Sequence, residues 1–433
     1  MEETQSYFSE FEIRKMELIN FLEIEAKNIS FNFYLDCIEI SNATIYKFDF
    51  KCFDLYKLSF VNCIFECSIF NSKDIILDIQ NNIFIHKCIF KNRVNINDVT
   101  FRGKLDITLC IFETKCCFYM NAFFEFCNFK DNVFNDVRFE KNRFLNDVMF
   151  YNSDFNMFNF SQSIFKGSLN VVNTNLNFTF DDLQEKIKQE YEDFNKTKEE
   201  QDKKPLDKFA NDFRDSFRAF KNALIKDNNL LDASNFHKYE LYCKEIELKF
   251  KKSKIFSREW MDKWQLFFYR KLCDHHADIL RSLNSLILVI GIFVISSVAM
   301  VVDFNYRLGY KPILEHWYFS LDFYNHHINS IIQDNYLFVV KVNFAMLFTY
   351  LGLVGLALCL KYMREFFIII SYGVTLFVLV VSPKILIPAM GFFTDKRAML
   401  DPLSTMGGIY IIVFGFVVFS FIKTIRKNSI VPS

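Results

Sequence analysis

The sequence predicts a four-sided β-solenoid, then an α-helical hairpin, then an α-helical transmembrane domain of about four spans. Three observations carry this prediction. An apolar residue, most often Phe, recurs at every fifth position from about residue 31 to 178. Beyond that the composition becomes charged and helix-periodic, and from about residue 257 long apolar runs alternate with basic and aromatic flanks.

Composition sets the bounds first. The 433 residues carry 51 Lys plus Arg against 51 Asp plus Glu, a balance that predicts neither a nucleic-acid partner nor an acidic mimic. Phe is over-used at 56 residues, whereas Gly (11) and Pro (6) are scarce, and the first Pro is Pro205. Such a front half is not loop-rich or disordered. The opening stretch has acidic residues and no basic-then-apolar run, so it reads as no secretory signal and as an N-terminal cap over residues 1–30. Nine of twelve Cys precede residue 130 without zinc-site spacing, and read as reduced, buried small residues.

The five-residue period is plainest in "CNFKDNVFNDVRFEKNRF", where Phe falls at 129, 134, 139 and 144. Five is neither the helical nor the strand period, so one face of a helix or strand cannot hold these rings together. A chain that turns a corner at each repeat can. Four sides make one coil, and coils stack by backbone hydrogen bonding about 4.8 Å apart. In strict fives the inward positions are Leu35, Ile40, Ile45, Phe50, Leu55, Phe60, Phe65, Phe70 and Ile75, resuming at Ile85 and Phe90 after Gln80. Occasional sixes carry the series through Ile96, Phe101, Ile107, Phe112, Phe118 and Phe124, and fives return through Phe165 before Val171 and Leu176. Two residues before most centres lies a small side chain: Ala43, Cys63, Ser68, Cys88, Cys110, Cys116, Ala122, Cys127, Ser153 and Ser163.

These paired positions resemble those of the pentapeptide-repeat family, whose fold is a right-handed quadrilateral β-helix. The resemblance covers residues 31–178, about seven coils. Phe33, Phe48, Phe53 and Phe158 are large at small positions, and Lys73, Asp78 and Gln80 would be polar in the core, so a bulge is expected near 73–82. Some family members mimic DNA through an acidic rod, but the balanced charge here does not follow them.

Residues 179–256 read as a cytoplasmic helical linker and hairpin. The stretch "DDLQEKIKQEYEDFNKTKEEQDKKP" suits a solvated helix or linker ending near Pro205. Phe209, Phe213, Phe217, Phe220 and Leu224 form one helical stripe; Phe236, Tyr239, Cys243, Ile246 and Phe250 form another, with Asp232 or Ser234 as the intervening cap. The hairpin packs on itself or on the solenoid end, whose strand edges need cover. The segment from Phe217 to Glu240 also resembles one that joins repeats to membrane segments in certain bacterial proteins.

Residues 257–433 read as a membrane domain, opening with an interfacial helix bearing Trp260, Trp264, Phe267 and Phe268 beside Arg258, Lys263, Arg270 and Lys271. Spans are expected at 282–302, 336–360, 365–390 and 406–422. Basic residues Arg270, Lys271, Arg281, Lys361, Arg364, Lys423, Arg426 and Lys427 gather on one side, which places both termini and the repeats in the cytoplasm of a bacterial inner-membrane protein.

Candidate chemistry is thin. "CDHHAD", Cys273 to Asp278, superficially resembles the motif of phosphoesterases named for Asp-His-His, and on a helix His275 and Asp278 would share a ligand. A juxtamembrane amphipathic helix is the plainer reading. His316, Asp322, His326 and His327 fall in an expected outer loop. Lys341 and Lys384 lie near outer span ends, where snorkelling competes with lining a polar path. No catalytic, cofactor-binding or metal residue and no cofactor is assigned. The expectation is a non-enzymatic protein-binding scaffold whose partners are the lipid bilayer and another protein. The alternative is a channel or transporter gated by its repeat domain, although no potassium-filter sequence lies between spans.

Overall fold

In the computed structural model of the protein, residues 2–71, 77–174, 176, 178–196, 199, 203–310, 317–381 and 401–428 are described. The chain divides into two compact units, Met1–Lys263 and Trp264–Ser433.

The first unit is built on a β-solenoid of parallel rungs. On one side the strands Cys37–Ser41, Leu58–Val61, Ile83–His86, Leu105–Thr108, Cys127–Asn128, Val148–Met149 and Leu169–Asn170 stack in order. Equivalent residues Ile38, Leu58, Ile83, Leu105, Cys127, Val148 and Leu169 mark six turns, one fewer than the periodicity suggests. Four sides make each turn: the Phe residues at 129, 134, 139 and 144 take one side each. Each ring stacks on its equivalent one turn away, as in Phe134 on Phe112 (4.9 Å), Phe139 on Phe118 (4.7 Å) and Phe144 on Phe123 (4.7 Å). Offset stacking is a favourable aromatic geometry, and the rung spacing imposes that separation.

The structure moves some inward positions by one residue. Phe123 is 1% exposed and Phe124 38%, so the six-residue step falls one corner later than the strict count places it. Phe124 instead lies under the Arg102 guanidinium (4.4 Å). Ile69 likewise replaces Phe70, and Ile79 replaces Gln80. Asp78 and Gln80 therefore face water, with Asp78 paired to Arg102 at 3.1 Å. Lys73 and Ile75 lie outside the described residues. Leu35 and Leu55 are exposed; Leu55 ends a one-turn helix, Cys52–Leu55, that interrupts the period.

Both solenoid ends are covered, which resolves the oversized residues at small positions. Helix α1 (Glu2–Leu22) buries Leu18 and Leu22, and the strand Ile29–Asn32 pairs antiparallel with Cys37–Ser41. Phe48 and Phe53 pack against Phe60 in this first turn, whereas Phe33 is exposed. After the one-turn helix α2 (Cys52–Leu55), helices α3 (Phe180–Asn195), α4 (Leu206–Lys226) and α5 (Leu230–Phe250) follow the solenoid. Phe158 packs against Phe217 (5.0 Å) and Phe220 (5.2 Å) of α4. The first helical stripe is buried throughout; in the second, Phe250 is exposed. The cap of α5 is Asn229, whose side chain accepts the Asp232 N–H at 3.2 Å. Asp232 and Ser234 lie inside the helix. Helix α3 is not solvated: Leu183 and Ile187 are buried, and the Arg138–Glu190 ion pair (2.8 Å) ties it to the solenoid.

The second unit begins inside α6 (Arg258–Cys273), at Trp264. It holds α7 (Ile279–Arg307), α8 (Trp317–Asp334), α9 (Tyr336–Cys359), α10 (Lys361–Val381) and α11 (Pro402–Asn428). Four of these, α7, α9, α10 and α11, are long and apolar enough to cross a membrane. The expected outer loop contains helix α8, because Tyr324, Ile328 and Ile332 recur at four-residue spacing and pack with Val301 and Val339. Contacts set the order of ends. Lys271 Nζ donates to the Cys359 carbonyl, Arg364 to that of Lys271, and His276 lies against Thr424. The starts of α7 and α10 and the ends of α9 and α11 thus share one end of the bundle.

Candidate interaction surface and membrane-domain sites

The solenoid's polar interior is organised by the small positions. After the first side of each turn, the chain bends through a residue with positive φ: Asn42, Asn62, Lys87, Leu109, Asp131, Asn152 and Asn173. Asp98, Met120, Lys141 and Gln162 do the same before the fourth side. Asn and Asp tolerate this left-handed conformation better than most residues, which fits their abundance at corners. The bend leaves a carbonyl and an N–H pointing inward, and the next turn's small residue satisfies both. Asn132 accepts the Cys110 N–H (2.8 Å) and donates to the Ile107 carbonyl (2.7 Å). Asn142 accepts the Asn121 N–H and donates to the Phe118 carbonyl, both at 2.8 Å. Ser153 and Ser163 serve the turns before them in the same way. Cys88 and Cys110 take the equivalent place with longer sulfur contacts. Ala122 is not the inward small residue; Asn121 is. Ser68 is exposed, since the inward register there has shifted with Ile69.

The buried thiols are therefore packing and hydrogen-bonding groups. A side-chain hydrogen bond donated to Cys110, with burial, pushes the Cys88 thiol up to about 12, and burial raises Cys127 further. All twelve Cys are unbridged. Thiolate chemistry is suppressed at these positions.

One outer side of the solenoid carries an aligned apolar column. Ile64, Ile89, Ile111 and Val133 are consecutive in register, between Thr44 and Asp154. Ile111 is 41% and Val133 44% exposed. Beside it a polar column is internally paired: Lys91 with Glu66 (2.6 Å), and Asn135 with the Glu113 carbonyl (3.0 Å) and with Asn156 (2.9 Å). At their later turns, Ile111, Val133, Glu113, Asn135 and Asn156 line a shallow groove of about 460 Å³.

The "CDHHAD" segment is not a helix. Asp274, His275 and His276 all have positive φ, forming a left-handed turn between α6 and α7. His275 is 1% exposed, while Asp278 caps α7 by accepting the Arg281 N–H at 2.8 Å. The turn sends these two side chains to different tasks, so they do not share a ligand. His276 Nδ1 lies 3.3 Å from Cys273 Sγ and 3.1 Å from Thr424 Oγ1. Among the described residues no three His, Cys, Asp or Glu side chains converge as a metal site.

The outer histidines lie on α8. His327 Nδ1 is 3.0 Å from the Phe323 carbonyl, its ring is 5.2 Å from that of His326, and Asp322 and His326 are exposed one turn apart. His316 and Lys384 lie outside the described residues. Lys341 is exposed on α9. Comparison with protein-family models, curated proteins and solved structures finds no match.

Proposed function

We propose that this is a multi-pass membrane protein of the pentapeptide-repeat class whose solenoid is a non-enzymatic scaffold for another protein. The observation that carries the reading is the apolar Ile64–Ile89–Ile111–Val133 column on one outer side, half-buried at Ile64 and Ile89 and exposed at Ile111 and Val133. Its polar neighbours are already paired with one another, which leaves the apolar column as the part that gains most from being covered. The collected basic residues at one bundle end favour a cytoplasmic solenoid and cytoplasmic termini at a bacterial inner membrane. A photo-crosslinking residue at position 111 in the native host should capture a reproducible partner, whereas the same residue at Lys104, on another side, should not. Capture from position 111 should disappear when Ile89→Lys or Val133→Lys is added. Equal capture at both positions, or none at 111, refutes the scaffold surface.

A second reading, a channel or transporter gated by the solenoid, draws on polar groups buried within the spans, namely Ser371, Thr375 and Tyr350. Flux through proteoliposomes that falls in Ser371→Ala or Thr375→Val would favour it over the scaffold reading; absence of flux discounts it.

A further inference from the structure

We propose that Arg281 and Arg364 together hold the phosphate of an anionic phospholipid at the bundle end where α7 and α10 begin. The inference rests on the membrane reading above and adds a binding site to it.

Arg281 Nε and Arg364 Nη1 donate to one and the same oxygen, the Lys271 carbonyl, at 3.2 and 3.1 Å. Arg364 Nη2 also reaches the Arg281 carbonyl and Ser285 Oγ, both at 3.1 Å. Two guanidinium groups are thereby gathered around a single carbonyl, and both side chains are partly buried. Every acceptor they have is neutral. Neither forms an ion pair among the described residues; the Asp278 carboxylate, which accepts the Arg281 backbone N–H, is a nearby negative charge that acts on Arg364. One carboxylate against two partly desolvated guanidinium groups leaves a net positive charge that a further anion would balance. Guanidinium forks match phosphate oxygens, and each retains donors not used by these carbonyls.

Position selects the source of the phosphate. Arg281 is the third residue of α7 and Arg364 the fourth of α10, so both lie in the first turn of a span, at headgroup depth. Phe366 and Ile369 lie on the face of α10 opposite Arg364, so the depth of the pair, at the start of two span helices, is what favours a lipid phosphate over a soluble anion.

The test is native mass spectrometry of the full chain in detergent, titrated with phosphatidylglycerol and with phosphatidylcholine of identical chains. Wild type should bind phosphatidylglycerol at least about fivefold more tightly, and Arg281→Gln should remove about that factor, the contribution of one basic residue at an anionic surface. Arg281→Lys keeps the charge and loses the fork, so it should lose at least about twofold. Unchanged circular-dichroism melting confirms that each variant is folded. Equal affinity for the two lipids in wild type, or a retained preference in both variants, overturns the proposal. Displacement of the lipid by 20 mM inorganic phosphate (roughly the scale of a weak anion site) overturns the lipid assignment in favour of a soluble anion. Failure of the underlying membrane reading is distinguishable, because the native chain would then be extracted from membranes by alkaline carbonate.

Discussion

Replacing Asn132 by Ala tests the internal hydrogen-bond ladder directly. The side chain accepts the Cys110 N–H and donates to the Ile107 carbonyl, and Asn132 is 1% exposed. Alanine leaves both backbone groups buried without partners, each at a cost of about 1–3 kcal/mol, so about 3 kcal/mol in sum is expected. At 1.4 kcal/mol per factor of ten, exchange of the amides in the adjacent turns should accelerate about a hundredfold when it proceeds by local opening. Hydrogen-exchange mass spectrometry of the full chain in detergent reads this on peptides covering residues 105–155. The solenoid supplies its own control, because Ser153 performs the same task one turn on. Asn132→Ser should therefore accelerate exchange by less than about tenfold. Protection unchanged in the Ala variant, or equally lost in Ser and Ala, would refute the assignment of this position as a backbone cap.

Four other outcomes follow from the packing and electrostatics. Phe220→Ala removes a ring that lies 4.8 Å from Phe160 and 5.2 Å from Phe158, and should cost about 3–5 kcal/mol, read as lost exchange protection in the last turn. Burial, opposed by Arg138, raises the Glu190 carboxyl from 4.5 to about 7. The folded state then holds more protons between those values, so protection of α3 should fall as pH rises from about 4.5 through 7, and Glu190→Gln should flatten that dependence. Gly291→Leu should disrupt α7–α10 packing, because a Cβ there would come 2.3 Å from Ser371 Cβ, and loss of the folded detergent-solubilised form on size exclusion checks it. Native-state alkylation should leave Cys63, Cys88, Cys110 and Cys127 unmodified while labelling the partly exposed Cys67 and Cys117, with mass spectrometry as the readout.

The spacing of large residues made the solenoid legible, since only a corner-turning chain can bury Phe129, Phe134, Phe139 and Phe144 together. The spacing could not choose between adjacent apolar residues. Phe123 and Phe124 are chemically identical, and their order is decided by which corner takes the extra residue. The capping role of Asn121, Asn132 and Asn142 was hidden for a different reason. Asn is an ordinary turn residue, and its burial becomes visible only when the preceding turn's carbonyl and N–H are placed beside it. The large residues at small positions became intelligible only with the helices that cover them, as Phe158 and α4 illustrate. In the second unit, hydropathy located the four long apolar helices, but no periodic signal announced the left-handed turn at Asp274–His276 or the convergence of Arg281 and Arg364. That convergence depends on a contact 83 residues apart in the chain.

The ladder of small residues also has a direction in time. From Cys88 to Ser163 each one completes the turn before it, whereas Asn71 serves Asn97 of the turn after, so over that stretch a lengthening chain carries one unfinished turn at its growing end. On the ribosome the solenoid would close from its N-terminal helix onward, one coil behind synthesis, until Ser216 of α4 accepts the Phe160 N–H and ends the series. Protease resistance of stalled nascent chains should therefore advance in steps of about one coil, with the final step arriving only after α4 has emerged.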